Sequence, residues 1–395
     1  MTTETLTSGG ALLGVYRPTG PVFTRGEGSY LLTEDGSRYL DFTSGIAVNA
    51  LGYGDPDVTA AIRVALDSGV VHTSNLFRTR PAAELADWLA ERSFADRVFF
   101  CNSGAEANEA AIKFARRWAG ASGGKRRTEI VAFRGGFHGR TMGALAATDR
   151  LAYQEPFRPL MPGVRFCDVG DTGEADRLIG SGRVAAVIIE PIQGEGGVLP
   201  VPASFLRTLR VLCDEADALL VFDEVQTGMG RTGTLWAYES AGVAPDLLTV
   251  AKPLAGGLPM GATLLTERVA STVRPGDHAT TFGGGPLVAS AALAACRKIG
   301  DPAFLAEVRR KGELLANRLG VLALRREEVR AVRGAGMIWG LALSRPAGEV
   351  LARALEAGLL LCSAGPNVVR IIPPLTAADE ELTRGIEILE EVLWC

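Results

Sequence analysis

The sequence predicts an α/β protein: a mostly parallel central sheet covered by helices, with a smaller α+β unit drawn from both termini. Two observations carry this. Between about Ala82 and Leu265, short apolar runs recur with amphipathic or Ala-rich stretches of helical length between them, the alternation that builds crossover-linked strands. The chain has 395 residues, 47% of them hydrophobic, enough for a large buried core and more than one domain.

Taken in order, "GSYLLTEDGSRYLDF" reads as a hairpin turning at Asp35-Gly36, because that dipeptide accepts the backbone a tight strand connection needs. The runs "RVFFCNS", "TEIVAFRG", "VAAVIIEP", "ALLVFDEV" and "DLLTVAKP" read as strands. Beyond them, "GPLVASAALAACRKIG" and "FLAEVRRKGELLANRLGVL" have helical spacing, and "GMIWGLALS" and "NVVRIIPPLT" read as strands. The expected division is residues 1–50 as the first segment of the small domain, 51–288 as the large domain, and 289–395 as the remainder of the small one. There is no internal repeat and no low-complexity linker.

Composition narrows the function classes. A formal net charge of -4 without a long Lys/Arg run leaves no electrostatic footprint for nucleic acid or a membrane surface, so small-molecule partners are expected. The start, "MTTETLTSGGALLGVYRPTG", has no basic residue before Arg17 and no continuous apolar block, so it does not read as a signal peptide. No apolar stretch reaches the roughly 18 residues of a membrane helix, and a cytoplasmic location is expected. The six cysteines, without a CxxC, read as reduced thiols. His72, His138 and His278 are far apart in sequence, which argues against a catalytic metal.

An apolar strand ending in Asp223-Glu224 is also how a nucleotide triphosphatase holds magnesium. That reading needs GxxxxGK[ST], and "GGKRRT" lacks the first glycine and places Arg126 where Ser or Thr is required. A dinucleotide fingerprint could lean on "RGAGMIWG", but its last glycine is one residue too far, and a tight turn into a strand is the better reading. A purely structural or binding protein would have to carry four further segments by coincidence.

In "FFCNSGAEANEAAIKFARRWAG" a strand reaches Cys101, turns at Ser103, and enters a helix from about Ala105 to Trp118. Its free N–H groups and the Ser103 hydroxyl make a phosphate site, although Ser103 serves equally well as a helix cap. In "LLTVAKPLAGGLPMGA" the only charged residue between Asp246 and Glu267 is Lys252. Desolvation depresses such a lysine's pKa and suits it to imine formation. Asp223 ends an apolar strand where α/β sheets bind ligands, and "AFRGGFHGRT" sets an aromatic and an Arg in a glycine-rich turn. A phosphate cradle, an aldehyde-trapping lysine, a carboxylate for a pyridinium and an aromatic for stacking are together what pyridoxal phosphate requires.

These segments, with "EPIQGEGG", "FDEVQTG" and "TTFGGGPLVASAA" in the same order, resemble the class III pyridoxal-phosphate aminotransferases over most of the chain. The resemblance implies the fold type I architecture, a homodimer with shared active sites, and glutamate paired with 2-oxoglutarate. "SGIAVNALG" and "HTSNLF" are most similar to the branch acting on acylated diamino acids. Acetylornithine, succinylornithine, succinyldiaminopimelate and carrier-bound lysine all remain open, as do ornithine, 4-aminobutyrate and an aminomutase.

Carried over by position, the resemblance assigns Lys252 to the cofactor imine and Asp223 to the pyridine nitrogen. Gln226 would bond the ring oxygen, with Val225 and Phe137 on the two ring faces. Ser103, Gly104 and Ala105 would hold the phosphate with Thr281 of the neighbouring subunit. Arg140 would bind a substrate carboxylate, with Thr280 nearby, and Glu195 and Arg370 match a pair that changes partners between the two substrates. Lys252 would be the general base and acid, His138 a structural turn residue, and Glu224 and Glu190 hydrogen-bonding groups. Two positions depart from the pattern: Gly285 stands where Asn is usual, and Pro253 follows the lysine, which is expected to bias Lys252 toward extended geometry.

Overall fold

The structure is a computed structural model that describes residues 11–16, 18, 20–121 and 127–394. Most of "GGKRRT", the first ten residues and Cys395 lie outside the described residues.

Seventeen strands occur among the described residues. The N-terminal three are β1 (Phe23–Glu27), β2 (Tyr30–Thr33) and β3 (Arg38–Asp41). The middle of the chain supplies β4 (Arg97–Cys101), β5 (Glu129–Phe133), β6 (Val164–Cys167), β7 (Val184–Ile189), the short pair β8 (Ile192–Gln193) and β9 (Leu199–Pro200), β10 (Leu219–Asp223), β11 (Leu247–Val250) and β12 (Gly261–Leu265). The last five are β13 (Val329–Ala335), β14 (Ile338–Leu343), β15 (Leu359–Leu360), β16 (Cys362–Ser363) and β17 (Val368–Ile371).

The five predicted central strands all form, and with β6 and β12 they make a seven-stranded sheet in the order β4-β12-β11-β10-β7-β5-β6. Pairing is parallel throughout the β11-to-β6 side. Only β12 runs against its neighbours β11 and β4. Side chains alternate along the strands: Val131, Phe133, Val187, Ile189, Leu220 and Phe222 enter one core with Leu206 and Leu209 of the helix Ala203–Glu215. Ile130, Ala132, Ala186, Ile188, Leu219 and Val221 enter another with Ala111, Phe114 and Ala115 of the helix Gly104–Ala121. A sheet covered on both faces explains why β7 is buried at every residue.

The hairpin at Asp35-Gly36 forms, with Tyr30 opposite Leu40 and Gly36 at φ 85°. Its strand β3 also pairs with β15 in parallel, which joins the two ends of the chain. The segment "RGAGMIWG" is the expected turn, leading from β13 into β14 with Gly336 at φ 53°. The predicted C-terminal helices span Pro286–Ile299 and Pro302–Arg325. Gly285, at the N-cap of the first, offers no capping side chain, a loss of a few tenths of a kcal/mol, roughly, relative to Asn. Among the described residues no helix is long and apolar enough to cross a membrane, and no cluster of His, Cys, Asp and Glu could hold a metal.

Candidate active site

The carboxyl ends of β5, β7, β10 and β11 and the turn after β4 converge on a cavity of about 440 Å³. The segment after β4 contributes Ser103, Gly104, Ala105 and Asn108, and the turn after β5 contributes Phe137, His138 and Arg140. Glu190 and Glu195 follow β7, Asp223, Val225 and Gln226 close β10, and Lys252 follows β11. Strand ends in a parallel sheet share one edge, so residues more than a hundred positions apart meet there.

The turn into the helix Gly104–Ala121 is packed on three sides by positions that must be glycine. A Cβ on Gly104 would lie 2.6 Å from Val225 Cγ1, one on Gly139 2.7 Å from Ala105 Cβ, and one on Gly261 2.4 Å from the Ser103 carbonyl. Ser103 does cap the helix, accepting from the Glu106 N–H at 3.2 Å. The first N–H groups of the helix have no intrahelical acceptors and border the cavity with the Ser103 hydroxyl.

Asp223 is 3% exposed. Its Oδ1 accepts from the Val225 N–H at 3.0 Å, and its Oδ2 from Asn108 Nδ2 at 2.8 Å and His138 Nδ1 at 2.7 Å. Asn108 is itself fixed by Thr249, whose hydroxyl donates to Asn108 Oδ1 at 2.8 Å. Neither Asn108 nor the use of the His138 ring was foreseen. The available signal for Asn108 was an amide among Ala107, Ala110 and Ala111 on the buried stripe of an Ala-rich helix; a polar group there needs a partner.

Lys252 faces the same cavity, and its ammonium makes no hydrogen bond or ion pair among the described residues. Burial lowers its pKa below the ordinary lysine value, and the nearby Arg370 charge adds to this against the pull of Glu195, Asp223 and Glu190. The expected extended backbone at Lys252 is not found: φ is 36°, in the left-handed region. Pro253 disfavours the right-handed helical region for the residue before it, yet the chain must turn at once into the short 3-10 segment Lys252–Ala255. The left-handed value satisfies both at a cost of about 1–2 kcal/mol.

Arg370 on β17 is 1% exposed and ion-pairs with Glu195. Its Nη1 also reaches the Gly194 carbonyl at 3.2 Å and Gln226 Oε1 at 3.4 Å. Arg140 lies at the mouth, its guanidinium carbon 3.5 Å from the centroid of the Tyr153 ring. Glu224 turns away from the cavity, accepting from the Ala237 and Tyr238 N–H groups, and burial pushes it up to about 8. Glu190 accepts from the N–H groups of Phe137 at 2.8 Å and Gly194 at 3.2 Å.

Thr280 and Thr281 are not brought to this cavity. Thr281 lines a second one, of about 300 Å³, with His72, Asn75 and Phe77, whereas Thr280 borders Asn102. Leu76 and Phe77 beside them are 88% and 71% exposed, and Phe282 is 66% exposed.

A lysine amine without a partner, a held carboxylate, two apolar walls at Phe137 and Val225, and a helix N-terminus with a hydroxyl share one cavity. This donor set fits a group carrying a phosphate, an aldehyde and a basic ring nitrogen.

The family model described as aminotransferase class-III matches residues 15–393. A mitochondrial acetylornithine aminotransferase from Alnus glutinosa is 50% identical over 98% of this chain and 86% of its own. The crystal structure of N-acetylornithine aminotransferase from Stenotrophomonas maltophilia K279a superposes with a TM-score of 0.84 at 40% identity, covering 96% of this chain and 97% of that one. An ornithine aminotransferase from Toxoplasma gondii, crystallised with oxidised glutathione and found with partial occupancy of PLP at its active site, gives 0.93 at 29% identity over 100% and 94%.

Proposed function

The chain belongs to the class-III aminotransferases, and on that premise we propose that it uses pyridoxal phosphate to move the terminal amine of N2-acetylornithine to 2-oxoglutarate, giving N-acetylglutamate 5-semialdehyde and glutamate in arginine biosynthesis. The observation that carries the reading is the pairing of Lys252 and Asp223 at the ends of adjacent strands on one cavity. The acyl group is chosen by likeness to the acetylornithine aminotransferases. The triphosphatase reading is not favoured.

The proposed roles follow from chemistry at each atom. Ser103 Oγ and the N–H groups of Gly104 and Ala105 would hold the phosphate, joined by the partner subunit's Thr281 in a homodimer. Phe137 and Val225 would enclose the ring, Gln226 would bond its oxygen, and the Asp223 carboxylate would serve its nitrogen. When bound, the cofactor supplies an aldehyde that takes up the amine and a cationic ring that accepts the electrons left by a departing proton. Lys252 Nζ, whose charged form burial disfavours, would take and return that proton. Arg140 would bind a substrate carboxylate. The Arg370 cation pairs with Glu195 while the ω-amine is bound and with the glutamate α-carboxylate when Glu195 swings aside.

A homodimer accounts for the exposed Leu76, Phe77 and Phe282 beside Thr281. We keep the division into domains near residues 50 and 288, and a cytoplasmic location. The test is borohydride reduction with peptide mapping, followed by turnover on acetylornithine, succinylornithine, ornithine and 4-aminobutyrate. Label on Lys252 and preference for acetylornithine are expected. Label on another lysine removes the mechanism, and preference for an unacylated amine removes the substrate.

A further inference from the structure

Of the two arginines proposed for substrate carboxylates, Arg370 has an ion-pair partner in Glu195. Arg140 has none: among the described residues its guanidinium makes no ion pair and no hydrogen bond, although it is exposed at the mouth of the cavity. A long side chain left in solvent samples many rotamers. What restrains this one is a ring. The Arg140 Cζ lies 3.5 Å from the centroid of Tyr153, against 5.9 Å from that of Phe137. Stacking engages the face of a guanidinium and leaves the N–H donors in its plane, and those are the donors that take a carboxylate in a two-pronged grip.

Tyr153 does not line the cavity; it stands on the short helix Leu151–Gln154, and that turn is fixed at both ends. The next residue, Gln154, is 6% exposed, and its Nε2 donates to the Thr148 carbonyl at 2.8 Å and the Leu145 carbonyl at 3.2 Å. The turn is thereby pinned to the helix Met142–Ala146 that begins two residues after Arg140. At the other end, the Arg150 carbonyl accepts from the Tyr153 N–H at 2.9 Å, and Arg150 Nη2 donates to the Glu195 carbonyl at 2.8 Å. One turn of chain therefore touches the Arg140 side chain through Tyr153 and the Glu195 main chain through Arg150.

We propose that Tyr153 is a positioning residue for substrate carboxylates: its ring holds the Arg140 guanidinium at the cavity mouth before substrate arrives, and the turn that carries it fixes the span from Arg140 to the Glu195–Arg370 pair. The inference rests on the reading above, in which Arg140 binds a carboxylate. A preset guanidinium loses less freedom when substrate binds. The benefit reaches every substrate with a carboxylate at that distance, and an amine without one gains nothing from it. The Tyr153 hydroxyl has no hydrogen-bond partner among the described residues, so the ring face is the part that acts.

The test compares Tyr153→Leu, which keeps apolar bulk without a ring face, with Tyr153→Phe, which keeps the face. Glutarate is the binding probe, because it has two carboxylates and neither an amine nor a keto group to react. Calorimetry on the holoenzyme should show glutarate binding about three- to tenfold more weakly in Tyr153→Leu and within about twofold of wild type in Tyr153→Phe. In single turnover, the apparent affinity for acetylornithine should fall by the same factor in Tyr153→Leu with little change in the limiting rate, and the rate with n-butylamine, which has no carboxylate, should stay at the wild-type value. Equal glutarate affinity in wild type and Tyr153→Leu overturns the proposal. So does an equal loss with n-butylamine, which marks a general structural defect, or a loss in Tyr153→Phe as large as in Tyr153→Leu. A wild-type protein that binds no glutarate is a different result: it removes the carboxylate site itself, and with it the function on which the proposal rests.

Discussion

Replacing Glu195 by Gln should push the two half-reactions in opposite directions. Glu195 is the ion-pair partner of Arg370. The remaining groups near the guanidinium are a carbonyl and an amide oxygen at 3.2 and 3.4 Å and the Cys362 thiol, and Nε has no partner. Removing one charge of a fully buried pair costs about 3–5 kcal/mol. The Glu195 side chain is 30% exposed and Gln keeps an acceptor oxygen, so solvent and the amide recover most of this and about 1–1.5 kcal/mol is left. That is about tenfold. With the ω-amine bound, the variant leaves Arg370 without a counter-charge, and this half-reaction should slow by that factor. With glutamate bound, the α-carboxylate no longer competes with Glu195, and the apparent affinity for glutamate should rise about as much. The ratio of the two then changes about 100-fold. Stopped-flow conversion between the aldehyde and amine forms of the cofactor reads each half separately. Changes of equal sign and size in both would refute the exchange of partners and leave Glu195 as a fixed loop residue.

Asp223→Ala should leave attachment to Lys252 intact while slowing proton transfer about 10²–10³-fold; single-turnover rates close to wild type would make the carboxylate purely structural. Gly104→Ala puts a methyl 2.6 Å from Val225 Cγ1, so it should cost about 1–3 kcal/mol and lower the urea midpoint, and an unchanged midpoint would mean the turn yields freely. Lys252→Met should stabilise the apoprotein at pH 7. The lysine's pKa is lower folded than unfolded, so the unfolded chain binds more protons between the two values and wild-type stability rises with pH across that window. The advantage of Lys252→Met is therefore full below the folded value and fades toward about pH 10.4; urea titrations across that range check it, and an advantage that grows with pH contradicts the buried ammonium.

The strands that were legible are those whose apolar runs were long enough to be covered on both faces. β6 escaped because "VRFC" is four residues long with a charge inside it. β12 escaped because "GATLL" follows a glycine-rich turn and carries no mark of its direction, and antiparallel pairing is a property of the neighbours. At the site, Lys252, Asp223 and Ser103 announced themselves through residue type at a strand end. The His138 ring could not, and Asn108 offered only an amide on an apolar helix stripe, since what distinguishes both is a contact with Asp223 across 85 and 115 positions. The backbone at Lys252 was misread because Pro253 excludes one region without choosing among the others, and the choice fell to the sharp turn that follows.

The place of β12 in the sheet bears on how the chain is made. β4, at the edge, pairs only with β12, whose residues leave the ribosome about 160 residues later, roughly 10–30 s at ordinary synthesis rates. During that time the strand that leads into the Ser103 turn has been translated but has no neighbour to anchor it, and its apolar "VFF" is open to other chains. The same late strand closes the floor beneath Ser103, through Gly261. The cavity's floor is therefore completed only late in synthesis, and a nascent chain halted before residue 261 should be handled by the cell as an unfinished, sticky intermediate rather than as a weak enzyme.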